Sequence, residues 1–200
     1  MEITTDMVKE LREQTGISVM QCKAALEEAQ GDKAKALLIL SKKSGGIAAK
    51  KSDRTLGAGV VSSYIHANKE VGSMVVLRSE TDFVSKNEEF AALAREIALQ
   101  VAASNPVYVK REDVPAEKMA EIKDLFVKEV EGLSAQAGKP ENLKETILAG
   151  KVDAYLKNIV LMEQPYIKDD TKTVRSLVEG AVQKFGERVE IERFARFSIR

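Results

Sequence analysis

The chain has 200 residues, of which 44% are hydrophobic and 31% are charged. This composition predicts a globular protein, and no apolar run approaches the roughly 20 residues that cross a bilayer, so a membrane role is disfavoured. The 31 basic residues balance the 31 acidic residues. Because there is no net positive field to attract a phosphate backbone, direct binding of nucleic acid is not expected.

Cysteine and histidine usage narrows the class of protein further. The single cysteine, Cys22, lies on the apolar face of a predicted helix and is expected to be a buried, reduced thiol. With the single histidine, His66, it forms no set with metal-ligand spacing. Residues 1–6 resemble neither a secretory signal nor a transit peptide. We therefore expect a cytoplasmic protein with no metal and no cofactor.

Residues 1–46 are predicted to form a module of three short helices. Gly16 is placed to end the first helix, Ser18 to cap the second and Asp32 to cap the third. The Ser-Gly-Gly sequence at 44–46 predicts the end of the third helix. Because a module of this size has a marginal core, we expect it to be a docking unit tethered to a larger domain.

Residues 47–59 are interpreted as that tether. Lys50, Lys51 and Arg54 stand among small residues there. They could contact an acidic partner or keep the linker solvated, and the solvated interpretation is favoured.

Residues 60–200 are predicted to form an α+β core domain. Segments 60–66 and 71–77 are typical of a β-hairpin with a four-residue loop, and segment 189–199 predicts a last strand that completes its sheet. Consecutive antiparallel strands followed by helices favour a small antiparallel sheet packed by helices.

Several signals set the expected helix boundaries in this core. Ser85 to Glu88 is interpreted as a capping box that opens the main core helix, and Pro106 ends that helix. Pro115 suits the start of a further helix. A turn is expected at Gly138 and Pro140, and the helical pattern that follows is expected to be interrupted at Gly150.

Thr81 to Val84 lie between the second strand and the core helix, a position at which functional residues are often displayed. Phe83 has two interpretations. Periodicity alone favours an ordinary core aromatic over a displayed one.

Signatures of common enzymes are absent from the sequence. There is no GxGxxG, GxxxxGK[ST], GxSxG or HExxH motif. The tandem Asp169 and Asp170 is the best candidate for acid and base chemistry, but this pair is more typical of a cap on the following helix. The sequence therefore gives no support for an enzyme.

Two motifs resemble signatures of the elongation factor Ts family. The first comprises Leu-Arg-Glu-Gln-Thr-Gly at 11–16 with Cys-Lys-Ala-Ala-Leu at 22–26, and the second is Glu-Thr-Asp-Phe-Val-Ser-Lys at 80–86. Supporting similarities lie at 64–66, 105–109, 163–170 and 193–197. The resemblance extends over essentially the whole chain.

This resemblance implies a fold and a function. It implies a UBA-like N-terminal module followed by an α+β core, and an exchange factor that promotes GDP release from elongation factor Tu. The length is similar to that of short bacterial forms, which tend to pair as dimers. Ala195 stands where a thermophilic short form has a linking cysteine, so the expected homodimer has no disulfide between its subunits.

The resemblance also implies residues that contact elongation factor Tu. For Phe83 it favours display over burial, because the matching Asp and Phe of the family enter the partner beside its magnesium and nucleotide. His66 would approach the phosphate side of the partner, although a locally satisfied strand-end histidine is an equal alternative. Arg12, Met20 and Lys23 of the module could be ordinary surface or core residues, or could help the module dock on elongation factor Tu. The implied contacts are Thr81, Asp82, Phe83, Val84, His66, Arg12, Met20 and Lys23.

Overall fold

The structure of the protein is a computed structural model that describes residues 3–135 and 141–199, and the side chains of 3–130 and 144–199. Its first three helices are α1 (Thr5–Thr15), α2 (Val19–Glu28) and α3 (Lys33–Lys50). Ser18 and Asp32 cap α2 and α3, and Gly16 ends α1 in the left-handed conformation at φ 69°. These predictions are confirmed. A separate apolar cluster that includes buried Cys22 holds the helices together.

The predicted end of the third helix at 44–46 is wrong, because α3 continues to Lys50. The added turns pack against α8 (Val174–Phe185), and Ser44 is buried at that contact. Its hydroxyl oxygen lies 2.9 Å from the Leu40 carbonyl oxygen and within hydrogen-bond distance of Gln183 Oε1, so its single hydrogen is shared between these two acceptors. Tertiary packing thus outweighs the helix cost of two glycines, about 1 kcal/mol each. The first residues of the predicted tether are helical.

The sheet of the core has three antiparallel strands in the order β1 (Ala58–Ile65), β2 (Val71–Ser79) and β5 (Val189–Ser198). The predicted hairpin is confirmed, as is the last strand that completes its sheet beside β2. One face packs against α5 (Glu88–Ser104), and Ser73 on β2 donates to the Ala98 carbonyl oxygen at 2.6 Å. The main apolar core lies between this face, α5 and α8.

The start of α5 differs from the prediction. A separate short helix, α4 (Asp82–Ser85), follows β2, and Asn87 rather than Ser85 caps α5 by accepting from the Glu89 amide at 2.9 Å. The predicted capping box at 85–88 is therefore wrong. The end of α5 is as predicted, since Asn105 precedes Pro106 in the left-handed conformation at φ 48°.

Two long helices, α6 (Ala116–Ala135) and α7 (Glu141–Ile159), pack against each other around their own apolar cluster. The start of α6 after Pro115 agrees with the sequence prediction. The interruption expected at Gly150 is wrong, because α7 runs through it. The turn predicted at Gly138 and Pro140 lies outside the described residues.

A two-stranded sheet of β3 (Pro165–Tyr166) and β4 (Asp169–Thr173) precedes α8. Asp169 and Asp170 lie in β4, so the prediction that they cap α8 is wrong. Thr173 caps that helix instead, because it directly precedes the first apolar residue and accepts from the Ser176 amide at 3.2 Å. The α+β class is confirmed. Within residues 3–135 and 141–199, no helix is long and apolar enough to span a membrane.

Candidate functional site

The helix α4 displays Phe83 on the surface. Phe83 is 85% exposed, whereas its neighbour Val84 is 7% exposed and belongs to the main core. Adjacent residues of a helix point about 100° apart, so burial of Val84 directs Phe83 outward. The interpretation of Phe83 as a core aromatic is wrong.

An ionised carboxylate stands beside the exposed ring. The Asp82 carboxylate accepts a hydrogen bond from Lys86 Nζ at 2.6 Å, one helical turn further on. This hydrogen bond and the positive charge of Lys86 lower the pKa of Asp82 below its ordinary value. α4 therefore presents an apolar ring and a negative charge side by side at neutral pH.

Thr81, the residue that precedes α4, is bound by a distant carboxylate. Its amide donates to Glu187 Oε2 at 3.0 Å and its hydroxyl donates to Glu187 Oε1 at 2.5 Å. The hydroxyl does not cap α4. Glu187 lies in the turn between α8 and β5, and its role was not predicted from the sequence, where the only local signal was the helix stop at Gly186.

The preceding residue, Glu80, is bound by the same turn. Its carboxylate accepts from the Arg188 amide at 2.5 Å and from Arg54 Nη1 at 3.2 Å. Burial opposes ionisation of Glu80, but these hydrogen bonds outweigh it and lower its pKa. Consecutive residues of the α8–β5 turn thus bind consecutive residues at the end of β2.

The structure does not bring His66 to this segment within one chain. His66 follows β1 at the far end of the hairpin, where its Nδ1 lies 3.1 Å from the Tyr64 hydroxyl oxygen. β2 rises about 3.4 Å per residue from Val71 to Ser79, which separates the two ends of the hairpin by about 27 Å. His66 is exposed and has the local partner expected of a strand-end histidine.

Arg12, Met20 and Lys23 are all exposed, so the interpretation of these residues as core residues is wrong. They lie on the last turn of α1 and on the first half of α2, on either side of the corner at Gly16. Met20 is 82% exposed, so its side chain is free to contact another protein.

Contacts with α8 and α5 place this corner at the same end of the molecule as α4. A Cβ added to Gly16 would lie 3.0 Å from Lys184 Nζ, and Lys184 forms an ion pair with Glu89 in the first turn of α5. Gln183 donates to Gln21 of α2 at 3.2 Å. Since α4 immediately precedes α5, the module corner and Phe83 belong to one end of the protein.

Comparison of the sequence with known proteins identifies its family. A sequence model of the family described as elongation factor TS matches residues 6–200. Elongation factor Ts from Thermotoga petrophila is 44% identical over 199 residues, which cover 100% of this chain and 97% of that protein. Elongation factor Ts from Carboxydothermus hydrogenoformans is 47% identical over 200 residues, with 98% and 89% covered.

The protein is thus a translation elongation factor by class. The chain belongs to the elongation factor Ts family.

Proposed function

We propose that the protein is a guanine-nucleotide exchange factor that binds elongation factor Tu with GDP and promotes release of the GDP. The observation that carries this proposal is the display of Phe83, 85% exposed, beside the ionised Asp82 on an anchored helix. A ring that is exposed to this extent buries little surface within its own chain. It is suited to insertion into a pocket of another protein.

The exchange follows from linkage and requires no covalent chemistry. A factor that binds nucleotide-free elongation factor Tu more tightly than the GDP form lowers the affinity for GDP by the same ratio. Phe83 acts as a wedge in this proposal, and Asp82 acts as a polar partner or a competing charge near the magnesium of elongation factor Tu. Loss of magnesium and phosphate contacts removes charge stabilisation from the diphosphate, and GTP then loads.

The remaining residues of the segment hold the wedge. Val84 fastens α4 to the core, and Thr81 fastens it to the α8–β5 turn. Arg12, Met20 and Lys23 are proposed as a second contact with the partner, since their exposed side chains border a corner at the same end of the molecule as α4.

His66 is proposed as a separate contact with elongation factor Tu. His66 lies about 27 Å along the hairpin from the end that carries α4. It must therefore contact either a second site on the same partner molecule or a partner molecule bound to a second copy of this chain. A cytoplasmic location is proposed with this function. Direct contacts with nucleic acid or membrane have no part in it.

We propose a homodimer formed through the sheet face opposite α5, which carries exposed apolar side chains. Register pairs Ile65 with Gly72 and Gly72 with Phe197, and Met74 with Ala195, so these residues share one face. The large exposed members of this open face are Val61 at 63%, Ile65 at 63%, Met74 at 48% and Phe197 at 69%. Ala195, the position of the linking cysteine in a thermophilic short form, lies on the same face, which supports a second copy as its occupant.

Stopped-flow release of fluorescent GDP from elongation factor Tu tests the exchange function. The parent chain is expected to accelerate GDP release. Phe83→Ala should reduce this acceleration about 30- to 1,000-fold, which corresponds to the loss of one buried interface aromatic, roughly 2 to 4 kcal/mol. Asp82→Ala is measured alongside it.

Leu125→Ala is the matched control, because Leu125 is a 60% exposed apolar residue on α6, outside the proposed contacts. It should accelerate release as the parent does. If the parent chain fails to accelerate GDP release, the proposed function is wrong. If Phe83→Ala equals the parent, the wedge is wrong.

A further inference from the structure

We propose that Glu187 is a positioning residue for nucleotide exchange, because its carboxylate fixes the orientation of α4 and thereby of Phe83 and Asp82. This inference rests on the proposed function. Glu187 lies 106 residues from Thr81 along the chain, yet it accepts both the amide and the hydroxyl hydrogen of Thr81. Its effect on exchange would be transmitted through α4.

α4 depends on outside contacts for its orientation. It has four residues, Asp82–Ser85, and a single helical turn has no stability of its own in water. Val84 anchors one side of it in the core, but Phe83 is 85% exposed and fixes nothing. The Ser79 hydroxyl also donates to the Thr81 carbonyl oxygen at 3.0 Å, which holds the backbone that enters α4. A second fixed side chain besides Val84 defines where the ring of Phe83 points.

Thr81 supplies this second point. Its two hydrogen bonds to the two oxygens of Glu187, at 3.0 and 2.5 Å, restrict both the position and the rotation of the residue at the start of α4. The hydroxyl could have accepted an amide of its own helix, as a threonine at this position commonly does, but it is directed to Glu187 instead. The geometry thus favours attachment to the α8–β5 turn over local capping.

The turn that carries Glu187 is itself well defined. Gly186 ends α8 in the left-handed conformation at φ 71°, and its amide bonds to the Val182 carbonyl oxygen at 3.0 Å. The next residue, Arg188, donates its amide to Glu80 at 2.5 Å and its Nη1 to the Arg54 carbonyl oxygen at 2.6 Å. Glu187 therefore connects α4 to a fixed part of the core.

Paired substitutions separate geometry from charge. Glu187→Ala removes both acceptors, whereas Glu187→Gln can keep both contacts: its amide oxygen accepts the Thr81 amide hydrogen, and its NH₂ group donates to the Thr81 hydroxyl. At saturating concentrations of the chain, we expect Glu187→Ala to lower the maximal rate of GDP release from elongation factor Tu about tenfold, the effect of one charged hydrogen bond. Glu187→Gln should retain most of that rate, as Thr81→Ser should relative to Thr81→Val.

A direct contact between Glu187 and the partner predicts a different result. Loss of charge alone would then impair exchange, so Glu187→Gln would be as defective as Glu187→Ala, and this outcome would overturn the proposal. In the Phe83→Ala background, Glu187→Ala should add little further loss, because both changes act on the same wedge. Additive losses would also contradict a positioning role.

Amide hydrogen exchange of residues 80–85 in the chain alone gives a readout that does not involve elongation factor Tu. Glu187→Ala should speed the exchange of amide hydrogens in residues 80–85, whereas Glu187→Gln should not. Unchanged protection in Glu187→Ala would overturn the proposal even if the parent promotes GDP release. If local protection falls as expected but the parent does not promote GDP release, the proposed function fails and the role of Glu187 in exchange fails with it.

Discussion

At the scale of single residues, Arg111 forms the most extensive charged contact within the described side chains of the core. Its Nε and Nη2 donate to the two Glu163 oxygens, each at 2.7 Å, and its Nη1 donates to Asp153 at 2.8 Å. The hydrogen bonds from Arg111 lower the pKa of Glu163, and the hydrogen bond to Glu163 raises that of Arg111. Arg111 thus joins α7 to the segment before β3.

We expect Arg111→Gln to destabilise the protein at pH 7 by about 1 to 3 kcal/mol, the range of hydrogen bonds to charged groups. Glu163 has an ordinary pKa of 4.5 that is lowered in the fold. The contribution of the ion pair is therefore full above pH 4.5 and is lost as the pH falls through the folded pKa. Urea unfolding should show a smaller difference between parent and variant at pH 3 than at pH 7.

Lys118→Gln is the matched control, because Lys118 pairs with Glu121 on an exposed helix surface. Such a pair contributes about 0 to 1 kcal/mol, so little change is expected at either pH. An equal loss at both pH values for Arg111→Gln would show that its ion pair is not the cause.

At the scale of elements, three glycines have different effects on their helices. Gly46 in α3 and Gly150 in α7 have no atom within 4 Å of an added Cβ. Gly46→Ala and Gly150→Ala should each stabilise the protein by about 0.5 to 1 kcal/mol in urea unfolding, because alanine loses less backbone entropy in a helix. Gly186→Ala should destabilise it, because the residue has φ 71°. A gain for Gly186→Ala would contradict this conformation.

The same glycines show how far the elements could be predicted from the sequence. Caps such as Ser18 and Asp32, and the four-residue loop of the hairpin, are local signals and were predicted correctly. The helix end expected at 44–46 and the interruption expected at Gly150 were wrong, because α3 packs against α8 and α7 packs against α6, and both helices continue. The helix propensities of individual residues do not include the free energy of packing between helices.

The candidate site was predictable to a similar degree. The motif located Asp82 and Phe83, but periodicity alone predicted that the ring of Phe83 is buried. The ring points outward because Val84 packs into the core. The helix stop at Gly186 is the only local signal beside Glu187, and it does not indicate the contact with Thr81, which spans 106 residues. Residues that support a site from a distant turn become visible only in the folded chain.

At the scale of the whole molecule, the N-terminal module is fixed to the core by polar contacts as well as by packing. Gln183 on α8 contacts Ser44 of α3 and Gln21 of α2, so one side chain joins two module helices to the core. Because Ser44 and Gln183 are both buried, sliding or rotation of the module would leave their polar atoms without a partner, which is unfavourable. The module corner therefore lies at the same end of the molecule as α4 and is attached to the core, in contrast to a docking unit on a free tether.

The open sheet face gives the last prediction. If two copies pair through it, Met74→Lys or Phe197→Lys places a charge in an apolar interface, which costs several kcal/mol and should raise the dissociation constant of the dimer about a hundredfold or more. Sedimentation equilibrium should find twice the 22.0 kDa chain mass for the parent and a larger monomer fraction for either variant. Leu38→Lys, on a 70% exposed residue of α3, is the matched control and should leave the mass unchanged. A parent chain that is monomeric at tens of micromolar would contradict pairing. It would not contradict the proposed role of Phe83, because Phe83 lies beyond the end of the hairpin that is opposite Ile65 and His66.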